Sequence, residues 1–209
     1  MKSTSNLIKA SCTALLAFAL IGCATKMSQE DRLALKRVSM ATVKMPEKPI
    51  VLTDGGAAGA VLGGPLGFAL ANAGNDAPTA LKQYLAKNRI DVPAYVKREL
   101  VSQLKGKGIE VVDGANQGNP VLVVEVLQYG LTGDVFSSDR WPQVWLRLSI
   151  VNEKGSQMWL GYAAAHIDQG VMKQVEKRPL AAFFADPAFL DREFKKVTSG
   201  IVSAATKDL

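Results

Sequence analysis

One long apolar segment constrains the fold more than any other feature of this chain. The sequence PVLVVEVLQYGL, residues 120–131, is rich in β-branched residues and is apolar at both alternating sets of positions. Such a strand needs cover on both faces or nearly so, which favours a central place in a sheet. Its one charged residue, Glu125, interrupts this apolar run. Burial would raise the pKa of its carboxyl unless a cation such as Arg147 lies beside it. Glu125 is therefore a candidate for a buried functional carboxylate, and a salt-bridged or edge-facing glutamate is the simpler alternative.

The patterns around this strand predict an α+β fold. Two alternating segments on either side of the turn NEKGSQ predict a hairpin over residues 142–167. Apolar residues at helical spacing predict helices over 78–88, 92–108 and from Asp186–Pro187 to the C-terminus. A short helix over about 29–37 and short strands in RVSMATVKM, KPIVLTD and IEVVD complete the order. We therefore expect a single domain with a mostly antiparallel sheet, covered on one face by helices.

The N-terminus predicts a lipid anchor. Lys2 and Lys9 precede ASCTALLAFALI, an uncharged run of 12 residues that is too short to span a bilayer and is typical of a signal peptide. The next residues, LIGC, end at Cys23 and resemble the lipobox of bacterial lipoproteins. This resemblance implies cleavage after residue 22, attachment of diacylglycerol to the Cys23 thiol, and a further acyl chain, such as palmitate, on the new amino group. Several acyl chains hold a protein firmly to its membrane.

The residues after Cys23 predict location and domain limits. In the lipoproteins that this N-terminus resembles, an aspartate just after the cysteine retains the protein in the inner membrane. Here Ala24, Thr25 and Lys26 follow Cys23 instead. The periplasmic face of the outer membrane is therefore the expected location, with the inner membrane as the alternative. The predicted organisation is a signal peptide over 1–22, a lipidated tether over 23–47 and one domain over 48–209. Residues 49–209 contain 17 basic and 16 acidic side chains, and this near-neutral charge argues against a nucleic-acid partner.

A glycine-rich insertion lies between the second short strand and the first predicted helix of the domain. Residues 55–75, GGAAGAVLGGPLGFALANAGN, carry no charge, but glycine, alanine and Pro65 make them a poor free-standing span. The segment lacks the GK[ST] of a phosphate loop. Glycines recur at strict four-residue intervals, a spacing that permits close approach of helices: Gly55, Gly59, Gly63 and Gly67. This row is the first candidate for a contact between copies, and packing on its own domain or on the bilayer surface are the alternatives.

The whole pattern resembles a class of small lipoproteins. A lipobox, a helix ending in LKGKGIEVVD, the strand VLVVEVLQYG, a strand pair around EKG and a C-terminal helix occur in that order. The order is similar to that of periplasm-facing lipoproteins such as the activators of penicillin-binding proteins and the curli secretion lipoprotein. The resemblance implies an α+β domain with an accessory role in the envelope.

The chain offers few residues for catalysis or metal binding. His166 is the one histidine in the sequence, and Ser137 or Asp139 are the partners that a hydrolase would need beside it. Cys12 leaves with the signal peptide and Cys23 carries lipid, so no thiol remains for a metal, a disulfide or a nucleophile. We therefore expect no catalytic set, no metal site and no cofactor.

The segment VFSSDRWPQVW, residues 135–145, is the best candidate contact loop. It brings together Phe136, Arg140 and Trp141, residue types that dominate binding hot spots. The alternative is that Trp141 and Trp145 cover the core. The sequence thus favours a membrane-anchored, non-enzymatic protein that binds or helps to assemble an unidentified envelope protein, with possible homo-oligomers. A carrier of a small ligand or lipid in an apolar pocket is the alternative, and an envelope hydrolase is the third.

Overall fold

A computed structural model describes residues 27–52, 77–114, 118–134, 137–165 and 169–209. These residues form six helices: α1 Gln29–Ala34, α2 Ala77–Lys87, α3 Val92–Gly106, α4 Gln169–Met172, α5 Leu180–Ala185 and α6 Pro187–Ala205. They also form seven strands: β1 Arg37–Met40, β2 Ile50–Val51, β3 Glu110–Asp113, β4 Val121–Gly133, β5 Asp139–Val151, β6 Gln157–Ala164 and β7 Arg178–Pro179. In this part of the chain, no helix has the length and apolar character needed to cross a membrane.

The strands form one sheet in the order β3-β1-β4-β5-β6, with β2 also paired to β4 and β7 to β5. The predicted single α+β domain and the central place of β4 are confirmed. The sheet is mixed, however, because β1 and β2 both run parallel to β4, and β3 runs parallel to β1. The long pairings β4–β5 and β5–β6 are antiparallel, as the hairpin pattern predicts. Most of the paired residues belong to the antiparallel pairings, so the predicted mostly antiparallel sheet is confirmed, and the short N-terminal strands join it in parallel.

The run of residues 37–52 follows one edge of β4 from end to end. β1 pairs with Val121 and Leu122, Lys44 forms an isolated bridge to Glu125, and β2 pairs with Gly130 and Leu131. Pro46 and Pro49 interrupt the run, since proline cannot donate a ladder hydrogen bond.

This placement corrects the predicted start of the domain. The sequence predicts a tether over residues 23–47 and a domain that begins at residue 48. Val38 is fully buried, and Met27 and Leu35 are also part of the core. The described fold therefore reaches back to Met27, and the prediction failed because a four-residue strand has too little local pattern to show its burial.

Helices cover one face of the sheet. α6 packs on β5 and β6, and α3 packs on α6 and β3. Asp186 caps α6 by accepting a hydrogen bond from the Phe189 amide at 2.9 Å, as the Asp-Pro pair predicts. On β4 the residues that face these helices are fully buried, whereas Val121, Val123 and Glu125 on the other face are half-buried. The opposite face of the sheet is therefore less completely covered in the described part of the chain.

Candidate functional site

Several predicted site residues lie outside the described residues. These are Cys23, the glycine row Gly55, Gly59, Gly63 and Gly67, and also Phe136 and His166. Lipid attachment at Cys23 and a contact through the glycine row therefore stay predictions. The proposed pairing of His166 with Ser137 or Asp139 stays untested for the same reason. Ser137 Oγ accepts a hydrogen bond from the Asp139 amide at 3.0 Å, a bond that shapes the turn before β5.

Arg140 lies inside the fold, which corrects its prediction as an exposed contact residue. Its side chain is on β5 and the residue is 2% exposed. Its guanidinium donates hydrogen bonds to the carbonyl oxygens of Leu52 at 2.7 Å, Ser137 at 2.5 Å and Asp139 at 2.9 Å. Burial lowers the pKa of Arg140 from its usual value. Arg140 therefore ties the end of the 37–52 run to the start of β5.

Trp141 is also buried, with 5% exposure, and follows Arg140 on β5. Lys177 Nζ lies 4.4 Å from the centre of its ring, within range of a cation–π contact. The structure therefore favours the alternative in which Trp141 covers the core. The loop ends at residue 138 and β5 begins at Asp139, so Arg140 and Trp141 are buried strand residues and not loop residues.

Glu125 is held by two cations, as the salt-bridge alternative predicts. Arg147 lies directly opposite on β5, and its Nε donates to Glu125 Oε2 at 2.7 Å. Lys44 Nζ lies 3.4 Å from the other carboxylate oxygen. The hydrogen bond from Arg147 is the main cause that lowers the pKa of Glu125, against the effect of burial. This carboxylate therefore serves the sheet as an ion-paired anion.

The described residues contain a surface cleft beside the first turn of α3, which we call the α3 cleft. It consists of two adjoining grooves that share Asp91 and Pro93, with volumes of about 600 and 350 Å³. The larger groove is lined by Met45, Pro46, Glu47, Lys82, Leu85, Ala86, Arg89, Ile90, Asp91, Val92, Pro93 and Tyr129. The smaller one is lined by Met40, Ala41, Thr42, Val43, Asp91, Pro93, Ala94, Lys97, Asp113 and Gly114.

Local sequence explains why the α3 cleft is open. Between Lys44 and Ile50 the chain leaves the edge of β4, because Pro46 and Pro49 cannot donate to it. On the other side, α2 and α3 are joined by a tight turn in which Arg89 has a φ of 58°. Asp91 then caps α3 through the Ala94 amide at 3.0 Å. The departure of the chain from β4 between Lys44 and Ile50, together with the turn before α3, leaves a gap over the inner face of β4.

The hydroxyl group of Tyr129 lies at the floor of the larger groove. Tyr129 is 8% exposed, and its hydroxyl has no hydrogen-bond partner among the residues that the structure describes. Burial raises the pKa of Tyr129 from its usual value. By contrast, the nearby Tyr84 hydroxyl donates to the Phe184 carbonyl at 2.9 Å. The hydroxyl is not among the fully buried polar atoms that lack a partner, so it is open to the groove, where a ligand would accept its hydrogen bond.

Charged side chains stand at the rim of the α3 cleft. Lys82 Nζ donates to the Glu47 carbonyl at 2.9 Å, which holds α2 against the 45–47 segment. Lys97 pairs with Asp113 at 2.8 Å at the far end of the smaller groove. Arg89 is exposed, and no ion pair to it occurs in the described ranges. The cleft thus has an apolar lining and a polar rim, the composition typical of binding sites.

A third groove, of about 420 Å³, lies beside α3, α4 and α6, but its lining is mostly polar. Side chains that are fully buried fill the space between the sheet and helices α3 and α6, including Leu104, Leu146, Leu148, Phe189 and Phe194. Among the described residues, no three histidine, cysteine or acidic side chains are grouped to hold a metal ion. Sequence reasoning missed the α3 cleft, although Pro46, the Asp91–Pro93 helix start and a tyrosine in an apolar strand were its visible signals.

The fold and the cleft define a single-domain α+β protein with a surface groove. No protein-family model matches the chain, and the comparison with curated proteins gives no match. Among solved structures, the chain is similar to a minor lipoprotein from Acinetobacter baumannii, with 9% identity, a TM-score of 0.38, and coverage of 82% of this chain and 92% of that one. A PelC dodecamer from Paraburkholderia phytofirmans shares 12% identity at a TM-score of 0.29, over 80% of this chain and 86% of that one. Scores this low carry no functional argument.

Proposed function

We propose that this chain is a lipid-anchored protein of the cell envelope that faces the periplasm and binds another envelope protein without catalysing a reaction. The binding site in this proposal is the α3 cleft. The observation that carries it is the Tyr129 hydroxyl, which is open to an apolar groove and has no hydrogen-bond partner among the described residues. A ligand in the groove would accept its hydrogen bond, and a few polar groups in an apolar lining are typical of binding sites.

The anchor in this proposal rests on the lipobox-like LIGC at residues 20–23. The described fold begins at Met27, which is 4% exposed. Three residues, Ala24, Thr25 and Lys26, separate Cys23 from Met27, and a fully extended chain from residue 23 to residue 27 spans at most about 14 Å. A lipid on Cys23 would therefore keep the domain at the membrane surface. The partner would be a protein that lies in the same membrane or close to it.

Two variants test the binding site. Ala86 is exposed and lines the larger groove, so Ala86→Trp would fill the cleft with little effect on the core. Lys154 is exposed in the turn between β5 and β6, away from the cleft, and Lys154→Trp is the matched control. After detergent solubilisation, we expect at least one protein to co-purify with the wild type and the control and to be lost with Ala86→Trp. Identical proteins with all three, or lipid alone, would contradict the proposal.

The anchor is tested separately. Cys23→Ala removes the thiol to which the lipid would be attached. We expect this variant to leave the membrane fraction and to appear in the soluble periplasmic fraction. If the variant stays in the membrane fraction, lipid anchoring is wrong, and the glycine-rich residues 55–75 become the candidate for membrane contact.

A further inference from the structure

The outer edge of the 37–52 run has no neighbouring described strand where it passes the α3 cleft. β3 pairs with the outer edge of β1 from Arg37 to Met40. The pairing ends with the Gly114 amide, which donates to the Met40 carbonyl at 3.2 Å. Beyond this point, the run continues along β4 towards Lys44, but no described strand lies on its outer side.

The backbone at this edge presents hydrogen-bonding groups away from β4. The Lys44 amide donates to the Val124 carbonyl, and the Lys44 carbonyl accepts from the Val126 amide, both at 2.9 Å. The described chain has no cis peptide bonds. In a trans peptide the C=O and N–H groups point in opposite directions, so the Val43 carbonyl and the Met45 amide point away from β4. Neither group has a hydrogen bond in the described part of the structure.

The α3 cleft runs along this same stretch. Residues 40–43 line the smaller groove, and residues 45–47 line the larger one. The first turn of α3, with Pro93 and Ala94, forms the opposite wall. Asp113 and Gly114, where β3 ends, stand at the entrance of the smaller groove. A chain that entered in line with β3 would therefore lie between the unpaired edge and α3.

We propose that the partner inserts an extended segment into the α3 cleft, where it adds a strand beside residues 41–47, in line with β3. This inference rests on the proposed function and specifies its mode of recognition. The main chain of the segment bonds to the Val43 carbonyl and the Met45 amide, and every second side chain enters the apolar grooves. The Tyr129 hydroxyl supplies a polar contact at the far end of the segment.

The open edge favours an extended peptide over other occupants. A helix satisfies its own backbone groups and would leave the Val43 carbonyl and the Met45 amide unpaired. An acyl chain has no donor or acceptor to offer them. An extended peptide supplies both, with one residue for about every 3.3 Å of edge.

Two crosslinking positions measure the conformation of the occupant. Thr42 and Glu47 are exposed at opposite ends of the edge, so a photoreactive residue is placed at one or the other in the full-length protein in cells. An extended segment places the two adducts on one partner peptide, about five residues apart. The same span of edge, about 16 Å, corresponds to about eleven residues of a helix. Helical spacing, adducts only to lipid, or adducts only to copies of this chain would overturn the inference.

A substitution at Met45 tests the backbone bond. Met45→Pro removes the amide donor at a position whose N–H has no partner within the described fold. Met45→Ala removes most of the side chain and keeps the donor, which makes it the matched control. We expect Met45→Pro to reduce the yield of the Thr42 adduct at least tenfold and Met45→Ala to reduce it much less. Equal yields in the two variants, with thermal unfolding midpoints close to that of the wild type, would contradict strand addition.

A second measurement applies if Met45→Pro does not fold. The partner peptide mapped at Thr42 is synthesised with single N-methyl groups along its backbone, and its affinity for the wild-type protein is measured. Strand addition predicts a loss of at least tenfold at alternate positions and little change between them. Affinity that is indifferent to N-methylation would overturn strand addition, yet the proposed function would stand if Ala86→Trp still removed the partner. If Ala86→Trp removed no protein, the proposed function itself would fail.

Discussion

Tyr84 and Tyr129 differ in the hydrogen bonding of their hydroxyl groups. Burial is the main cause that raises the pKa of both Tyr84 and Tyr129. The Tyr84 hydroxyl donates to the Phe184 carbonyl, whereas the Tyr129 hydroxyl has no partner in the described ranges. The two side chains therefore differ in what their hydroxyl contributes to the folded state, although their chemistry is the same.

Removal of each hydroxyl should separate these roles. Tyr84→Phe leaves the Phe184 carbonyl without its donor, and we expect it to lower the free energy of unfolding by about 1 kcal/mol. Tyr129→Phe removes an unsatisfied group, so we expect a change below about 0.5 kcal/mol or a small gain. Urea unfolding of the two variants and the wild type measures both values. A loss with Tyr129→Phe as large as that with Tyr84→Phe would show that this hydroxyl serves the fold.

Glu125 gives a prediction with a defined pH dependence. Arg147 and Lys44 lower its pKa in the folded state below the ordinary value of 4.5. The ion pair therefore stabilises the fold above that value and is lost as the pH falls through the lowered pKa. We expect Glu125→Gln to reduce the free energy of unfolding by at most about 1 kcal/mol at pH 7, because Arg147 is half-exposed. The difference from the wild type should shrink as the pH falls below 4.5.

The control for Glu125 is Glu110, which pairs with Arg37 between β3 and β1. Both side chains of this pair are more than half exposed, at 57% and 52%. Glu110→Gln should therefore change the free energy of unfolding less than Glu125→Gln does. A difference between Glu125→Gln and the wild type that stays constant from pH 7 to pH 3 would show that the charge of Glu125 does not carry the effect.

At the scale of elements, the local sequence predicts long elements well and short ones poorly. The long strands and α3 and α6 follow from alternation, helical spacing and caps, and their cores are confirmed. The strands β1 and β2 have four and two residues. Their parallel pairing depends on β4, which lies at least 70 residues further along the chain. No local pattern contains that information, so the parallel pairing of these two strands and the start of the domain were missed.

The α3 cleft was missed for a related reason. Pro46 and the helix start at Asp91–Pro93 are local signals. The gap between them forms only when α3 and the 37–52 run pack together in the folded protein. The burial of Arg140 and Trp141 was missed for a different reason. Large aromatic and guanidinium side chains suit both a hot spot and a buried network. Their place was decided by where β5 begins.

The close approach of β2 to β4 gives a prediction at this scale. Gly130 on β4 has a φ of 141°, and a Cβ atom there would lie 2.0 Å from the Ile50 carbonyl oxygen. We expect Gly130→Ala to lower the free energy of unfolding by at least about 2 kcal/mol, because β2 would have to move away from β4. Gly106→Ala is the control, since a Cβ atom meets nothing within 4 Å there. Similar urea midpoints for the two variants would contradict this account of the β2–β4 pairing.

At the scale of the whole molecule, the predicted anchor and the described fold lie close together in the chain. Burial of Met27 leaves three residues between the core and Cys23, in place of the predicted tether of 25 residues. In the proposed function, the domain would stay near the membrane and present the α3 cleft to a neighbouring protein. The contact between copies through Gly55, Gly59, Gly63 and Gly67 stays a prediction, because these residues lie outside the described ranges.

Photocrosslinking from the α3 cleft in intact cells tests the central claim most directly. A photoreactive residue at Ala86, on the wall of the larger groove, is compared with the same residue at Lys154, in the turn between β5 and β6. We expect an adduct with a second envelope protein at Ala86 and no such adduct at Lys154. An adduct of equal yield at both positions, or adducts at Ala86 with lipid alone, would contradict the claim that this protein binds a partner through the cleft.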